Sequence, residues 1–184
     1  MFIQIENTPN PESLKFIPDE MDIAGTKISE YKTLEDAKLE SPLAEKIFEI
    51  NGVKSIFLGK DFVTITKKSG FEWLNIKTDI ISGLMDFINS GQEVFYKKDS
   101  DIADEEEDDI IKQIKELIEM KVRPAVAMDG GDIVFHSFEN GVVFLSLKGA
   151  CSGCPSSTIT LKNGIENMLK HYIPEVESVE QISE

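Results

Sequence analysis

The chain is poor in the side chains that most often carry metal or redox chemistry. Two cysteines, two histidines and one tryptophan occur in 184 residues. Two cysteines, Cys151 and Cys154, are too few to staple a small secreted fold, and they point to a reducing compartment. Cations are also scarce. Lysine and arginine number 19 against 34 acidic residues, a formal net charge of −15. An acidic chain repels a phosphate backbone, which excludes nucleic acid as a partner. No apolar run approaches the roughly 18 residues that span a bilayer, so no membrane association is expected. Residues 1–6 lack the basic and apolar segments of a signal peptide and the arginine-rich character of a transit peptide. A bacterial cytoplasm is then the natural compartment, although a mitochondrial matrix protein after presequence removal reads the same way. What is present is ordinary: 41% hydrophobic and 29% charged residues place the chain among globular proteins rather than disordered ones.

The charge is unevenly spread. Residues 1–98 carry 16 acidic and 12 basic side chains, and residues 110–184 carry 10 and 7. The eleven residues 99–109 hold the remaining eight acids and no base. Such a block repels itself and buries nothing, so it reads as a solvated linker between two domains. It runs straight into an apolar helical pattern, where its carboxylates face the positive end of the helix.

Residues 1–98 read as a mixed α and β domain. Residues 2–6 and 13–17 have strand character, separated by the Thr8-Pro9-Asn10-Pro11 turn. Ser41-Pro42 sets an N-cap before a first-turn proline, with Leu43, Ile47 and Phe48 at helical spacing and Asn51-Gly52 as the stop. Residues 53–58 and 62–66 form a hairpin around Gly59-Lys60-Asp61. Ile76, Ile80, Leu84, Phe87 and Ile88 line one helix face that stops near Ser90-Gly91. Nothing in this half gathers side chains at metal or catalytic spacing.

Residues 110–184 read as helix, hairpin, cysteine loop, helix and strand. Ile110, Ile111, Ile114, Leu117 and Ile118 mark one buried helical face, which Arg123-Pro124 is expected to end. Residues 133–138 and 142–147 pair around Glu139-Asn140-Gly141. Ser156 or Ser157 is expected to cap a helix with Leu161, Ile165, Met168 and Leu169 inward. Pro174 ends it, and residues 176–182 return as a strand. The fold class is α+β, in two small domains.

The chemistry lies in Gly149-Ala150-Cys151-Ser152-Gly153-Cys154-Pro155-Ser156-Ser157. Two thiolates two residues apart can grip one metal or adjacent irons, and Gly149 and Gly153 allow the tight turn this needs. The following helix start offers unpaired amides and partial positive charge, which favour thiolate and a negative cluster. Lys148 can add to that field or simply be solvated. Three readings of the pair remain open: buried structural thiols, a dithiol redox pair, or a metal or iron–sulfur site. The redox motif normally follows the first strand of a βαβ unit, whereas this pair follows a hairpin and Pro155 lies outside it. An iron–sulfur cluster usually takes four thiolates, so two chains must pool their pairs. His136, in a strand, and His171, at a helix end, read as ordinary rather than ligating. Asp129-Gly130-Gly131-Asp132 reads as a turn in which Asp132 hydrogen-bonds nearby amides.

These residues also carry a resemblance. Arg123-Pro124, Asp129-Gly130-Gly131-Asp132, the stretch 147–157, Thr160-Leu161-Lys162-Asn163-Gly164-Ile165-Glu166 and Pro174-Glu175-Val176 resemble the C-terminal domain of the NifU-like (Nfu) iron–sulfur scaffold family. Thr8-Pro9-Asn10-Pro11, Leu14-Lys15-Phe16, Ser41-Pro42-Leu43-Ala44, Gly52-Val53 and Asp61-Phe62-Val63-Thr64-Ile65-Thr66-Lys67 resemble its N-terminal domain. The resemblance implies that Cys151 and Cys154 ligate a labile 4Fe–4S cluster shared by a homodimer and delivered to apo-proteins. It implies a carrier without enzymatic turnover, supplied by upstream assembly proteins, with residues 1–98 as a docking module. A dithiol–disulfide oxidoreductase is the alternative, and a dimeric zinc site would use the same four sulfurs.

Overall fold

The structure, a computed structural model, describes residues 2–19, 28–96, 108–151 and 155–182, with side chains from residue 159 onward in the last stretch. Ser152, Gly153, Cys154 and residues 99–107 of the acidic segment lie outside the described residues. The chain divides into two compact units, Met1–Asp99 and Ser100–Glu184. Both are α+β. No helix among the described residues is long and apolar enough to cross a membrane.

In the first unit β1 (Ile3–Asn7) and β2 (Ser13–Pro18) form an antiparallel hairpin. Its turn is held by side chains: Asn10 Oδ1 accepts the Glu12 amide at 3.0 Å, and Thr8 Oγ1 donates to the Asn10 carbonyl at 2.8 Å. With β3 (Ser29–Tyr31), β4 (Val53–Leu58) and β5 (Val63–Lys67) they build an antiparallel sheet in the order β1-β2-β5-β4-β3. Helices α1 (Leu34–Glu40), α2 (Pro42–Phe48) and α3 (Trp73–Ser90) supply the rest of the core. Ser41 performs the expected cap: its Oγ accepts the Ala44 amide at 3.2 Å. The same hydroxyl donates to the Val94 carbonyl at 2.6 Å, which pins the segment after α3 against α2. Phe16, Ile47, Ile56, Leu58, Ile65, Ile80, Leu84 and Phe87 are all at most 2% exposed and join sheet to helices.

The spacing analysis assigns nothing to β3 and α1. Three residues are too few to show alternation. For α1 a signal existed, because Thr33 Oγ1 accepts the Asp36 amide at 3.1 Å and donates to the Asp36 carboxylate at 2.7 Å. That Thr-x-x-Asp start resembles a capping box.

Tyr31 on β3 is 2% exposed, and among the described residues its hydroxyl has no hydrogen-bond partner in bonding geometry, although Ser29 and Glu40 lie close enough to act on it. Burial pushes its pKa up to about 12 from an ordinary 10.0. A proton held more tightly in the fold gives stability that is complete below pH 10 and is lost as pH rises through about 12. Tyr31→Phe is therefore expected to leave neutral-pH stability equal or higher, since it removes a buried hydroxyl without a partner. It should also flatten the alkaline fall in urea midpoint between pH 9 and 12. A stability loss above about 1 kcal/mol at pH 7 would show a bonded hydroxyl instead.

The second unit opens with α4 (Asp109–Leu117), capped by the Asp108 carboxylate, which accepts the Ile110 amide at 3.2 Å. The expected stop at Arg123-Pro124 is not observed. The chain continues through a π-helical turn (Ile118–Val122) into α5 (Arg123–Met128), with Pro124 in its first turn. Proline has no N–H and its ring crowds the carbonyl one turn before it. The wider π turn opens the ladder there, so the proline starts a helix rather than ending one.

Strands β6 (Gly131–Glu139) and β7 (Val142–Gly149) pair antiparallel around Asn140 and Gly141, whose φ values of 51° and 81° suit a two-residue hairpin. Helix α6 (Pro155–Tyr172) begins at the proline, so Ser156 and Ser157 fall inside its first turn and are not its caps. The final strand, β8 (Ser178–Gln181), is shorter than expected and lies parallel to β7. Glu166 on α6 ties it down, accepting the Val179 amide at 3.0 Å and the Lys170 ammonium at 2.7 Å. Those contacts, the lysine first, hold the Glu166 carboxyl below its usual pKa. Ile114, Val126, Ile133, Val143, Leu145, Leu169, Ile173 and Val179 form the core between the helices and this three-stranded sheet.

Candidate metal centre

The cysteine loop leaves the end of β7 under close control. Gly149 turns the chain with φ 68°, a left-handed conformation that disfavours any side chain. The next amide, Ala150 N, donates to the Gly130 carbonyl at 3.1 Å. Gly130 precedes β6 and Gly131 opens it, and the register pairs Gly131 with Gly149 and Asp132 with Lys148. Cys151 then packs directly on Gly131. A Cβ at Gly131 would sit 2.7 Å from Cys151 Sγ and 2.6 Å from the Lys148 carbonyl oxygen, so only glycine fits. Cys151 is 4% exposed and belongs to the second unit's core. Its sulfur forms no disulfide among the described residues. Cys154, the other expected ligand, lies outside the described residues, as does Gly153.

Gly130-Gly131 is thus more than a turn: it is the seat against which the cysteine rests. The sequence reading also missed what fixes that seat. Asp132 is 3% exposed, and it accepts Arg123 Nε at 2.9 Å as well as the Ile133 amide. Arg123 continues to the Ile133 carbonyl through Nη2 at 3.3 Å and pairs with Glu119 through Nη1. One guanidinium therefore joins the π turn, α5 and the start of β6. Burial raises the Asp132 pKa; the Ile133 amide and Arg123 act in the opposite direction and offset only part of it. The signal for this pair was present in Arg123-Pro124 and Asp132, but residues nine apart across a helix end give no periodicity to read.

The two histidines stay apart from the loop. His136 bulges from β6 between Phe135 and Ser137, with Nε2 2.9 Å from Ser146 Oγ. It lies five residues from Gly131, about 17 Å along the strand. His171 sits edge-on to Tyr172 at 5.0 Å, sixteen residues along α6 and about 24 Å from its start. Among the described residues, no three His, Cys, Asp or Glu side chains gather where they could hold a metal ion.

Topology corrects one argument. The pair does follow a hairpin, but β7, α6 and β8 also form a parallel β-α-β crossover, and the cysteines fall at its strand-to-helix junction. The absence of such a unit therefore no longer separates a redox pair from a metal site. A strand-to-helix junction suits either chemistry, because a helix start carries partial positive charge that favours a thiolate or a negative cluster.

The comparisons decide the class of protein. Residues 114–180 match the NifU-like domain, and residues 3–91 match the N-terminal domain of the scaffold protein Nfu/NifU. The chain belongs to the Nfu/NifU-like family of iron–sulfur cluster scaffold proteins. It is 47% identical to the mitochondrial NFU1 iron–sulfur cluster scaffold homolog of Homo sapiens, over 99% of this chain and 72% of that protein. It is also 47% identical to the protein of the same name from Drosophila willistoni, over 99% of this chain and 64% of that one. The chain thus spans less than two thirds of the fly relative's length. A solved NifU-like protein from Saccharomyces cerevisiae is 32% identical, with a TM-score of 0.47, over 53% of this chain and 87% of that one.

Gly131→Ala tests the seat. The methyl group meets a backbone oxygen that cannot move cheaply, so a loss of about 1–3 kcal/mol in urea unfolding is expected, as for other overpacked cores. With Cys154→Ser as background, the Cys151 thiol should react with a disulfide reagent at least tenfold more slowly in buffer than in urea. Gly131→Ala should narrow that gap. Equal rates in the folded and unfolded chain would contradict the buried placement.

Proposed function

We propose that this chain carries an iron–sulfur cluster as cargo, holding it through Cys151 and Cys154 and passing it to apo-proteins. The observation that carries the reading is the placement of Cys151. In a chain of the scaffold family, it sits against Gly131 at the end of β7, in the connection that leads from that strand to α6. Soft thiolate donors suit iron–sulfur clusters, and the two cysteines of one chain are half the usual ligand set. Two chains pooling their pairs would complete a 4Fe–4S site, which makes the cluster-loaded form a homodimer.

Burial of Cys151 adds a step to loading. The sulfur leaves its seat beside Gly131 and ionises before it can meet iron, because a thiolate is disfavoured in an apolar core. A cluster with half its ligands on each chain is open to exchange. An incoming client cysteine replaces one carrier thiolate at iron, and repetition of that exchange moves the cluster. No covalent bond in a substrate is made or broken, so the role is binding and transfer rather than enzymatic turnover. The first unit would serve as the docking module for clients and for the upstream proteins that build the cluster. The human and fly relatives are mitochondrial proteins, which supports a mitochondrial setting; the bacterial cytoplasm expected from sequence has no support in the comparisons.

Anaerobic reconstitution with iron and sulfide is the test. The expected product is a brown dimer with about two irons and two sulfides per chain. Cys151→Ser and Cys154→Ser should each abolish cluster retention and the maturation of an apo client. A colourless monomer that forms a reversible Cys151–Cys154 disulfide and catalyses thiol exchange would favour the oxidoreductase reading. Retained zinc without lability would favour a structural site.

A further inference from the structure

Large apolar side chains exposed to solvent lie in the segments that lead into Gly130 and that follow the cysteine loop in the chain. On one flank Met120, in the π turn, is 66% exposed and Met128, at the end of α5, is 74% exposed. Pro124, also exposed, lies one turn from each. A spacing of four puts the three on one face of the continuous helical stretch. On the other flank Ile159, one turn into α6, is 64% exposed. Single exposed apolar residues are common on protein surfaces, whereas a row of them beside a functional loop marks a contact surface. The row is close to the site. Met128 is two Cα steps, about 7 Å, from Gly130, whose carbonyl holds the amide next to Cys151.

We propose that Met120, Pro124 and Met128, together with Ile159 across the loop, form the face on which a second copy of this chain docks when two chains share a cluster. The proposal rests on the cluster reading above and adds the surface that makes the dimer. The occupant follows from ligand arithmetic and charge. One chain supplies two cysteines, so completing a four-thiolate site brings two identical loops together, and the surfaces bordering them meet face to face. Most of this protein repels its own copy, given a net charge of −15. Residues 120–128 contain no carboxylate. Their two cations are engaged within the chain, Lys121 over the Tyr172 ring at 5.1 Å and Arg123 with Asp132 and Glu119. The row is therefore apolar along its own length, with the exposed carboxylates Glu116, Glu119 and Asp129 at its ends, and methionine adapts readily to a surface that forms and separates.

The experiment compares reconstituted wild type with a Met120→Glu/Met128→Glu double variant, keeping both cysteines, by anaerobic sedimentation and by iron content over time. The variant should weaken dimerisation at least tenfold and shorten cluster retention, and higher salt should strengthen the wild-type dimer. Ile159→Glu, on the other flank, should act in the same direction. Circular dichroism checks the fold, and the milder Met120→Ala/Met128→Ala variant repeats the measurement should the charged one unfold. A wild type that loads a cluster as a dimer, with variants that match it in affinity and retention, overturns the face alone. Variants that dimerise normally but transfer slowly assign the face to clients and also overturn the proposal. A wild type that takes up no cluster, or takes it as a monomer, overturns the cluster reading and the face with it.

Discussion

The second unit turns on the contact between Gly131 and Cys151. Two strands end side by side there, and the missing side chain at Gly131 lets the Lys148 carbonyl and the cysteine sulfur close over it. The Ala150 to Gly130 hydrogen bond fixes the depth of the loop, and Gly149 sets its direction. None of these features is a ligand. Together they decide where the Cys151 thiol sits.

The Arg123–Asp132 pair serves that contact more than it serves stability. Asp132 is buried, and the direction of its pKa shift shows that desolvation outweighs the help of the guanidinium and the Ile133 amide. A buried ion pair of this kind contributes little net free energy, yet breaking it leaves an uncompensated charge. Its value is geometric. The guanidinium locks the helical stretch to the first residues of β6, so the glycines meet the cysteine in one register. The π turn makes this possible by admitting Pro124 without ending the helix, which keeps Arg123 facing the sheet.

Charge shapes the rest of the molecule. Eight of the acids fall in residues 99–109, and one of them, Asp108, is the cap of α4. A chain this acidic gains nothing from random self-contact. The proposed dimer face, residues 120–128, is a stretch that carries no carboxylate and exposes apolar side chains.

Local signals were enough for much of this protein. Ser41-Pro42, Asn140-Gly141 and the apolar spacing in α3, α4 and α6 each act within a few residues, so the elements and the α+β class could be read from sequence. The two-unit organisation showed in the charge distribution, and the cysteine loop, with its long resemblance, showed which residues to propose as ligands. Other features depended on residues far apart in the chain. The parallel return of β8, the seat formed by Gly131, the burial of Cys151 and the Arg123–Asp132 pair arise where separate elements meet, and periodicity is silent about such meetings. Proline was misread for the same reason: by local rules it ends a helix, and only the neighbouring π turn lets it begin one. Sequence determined what the loop could bind; tertiary packing decided how deeply its first thiol is held.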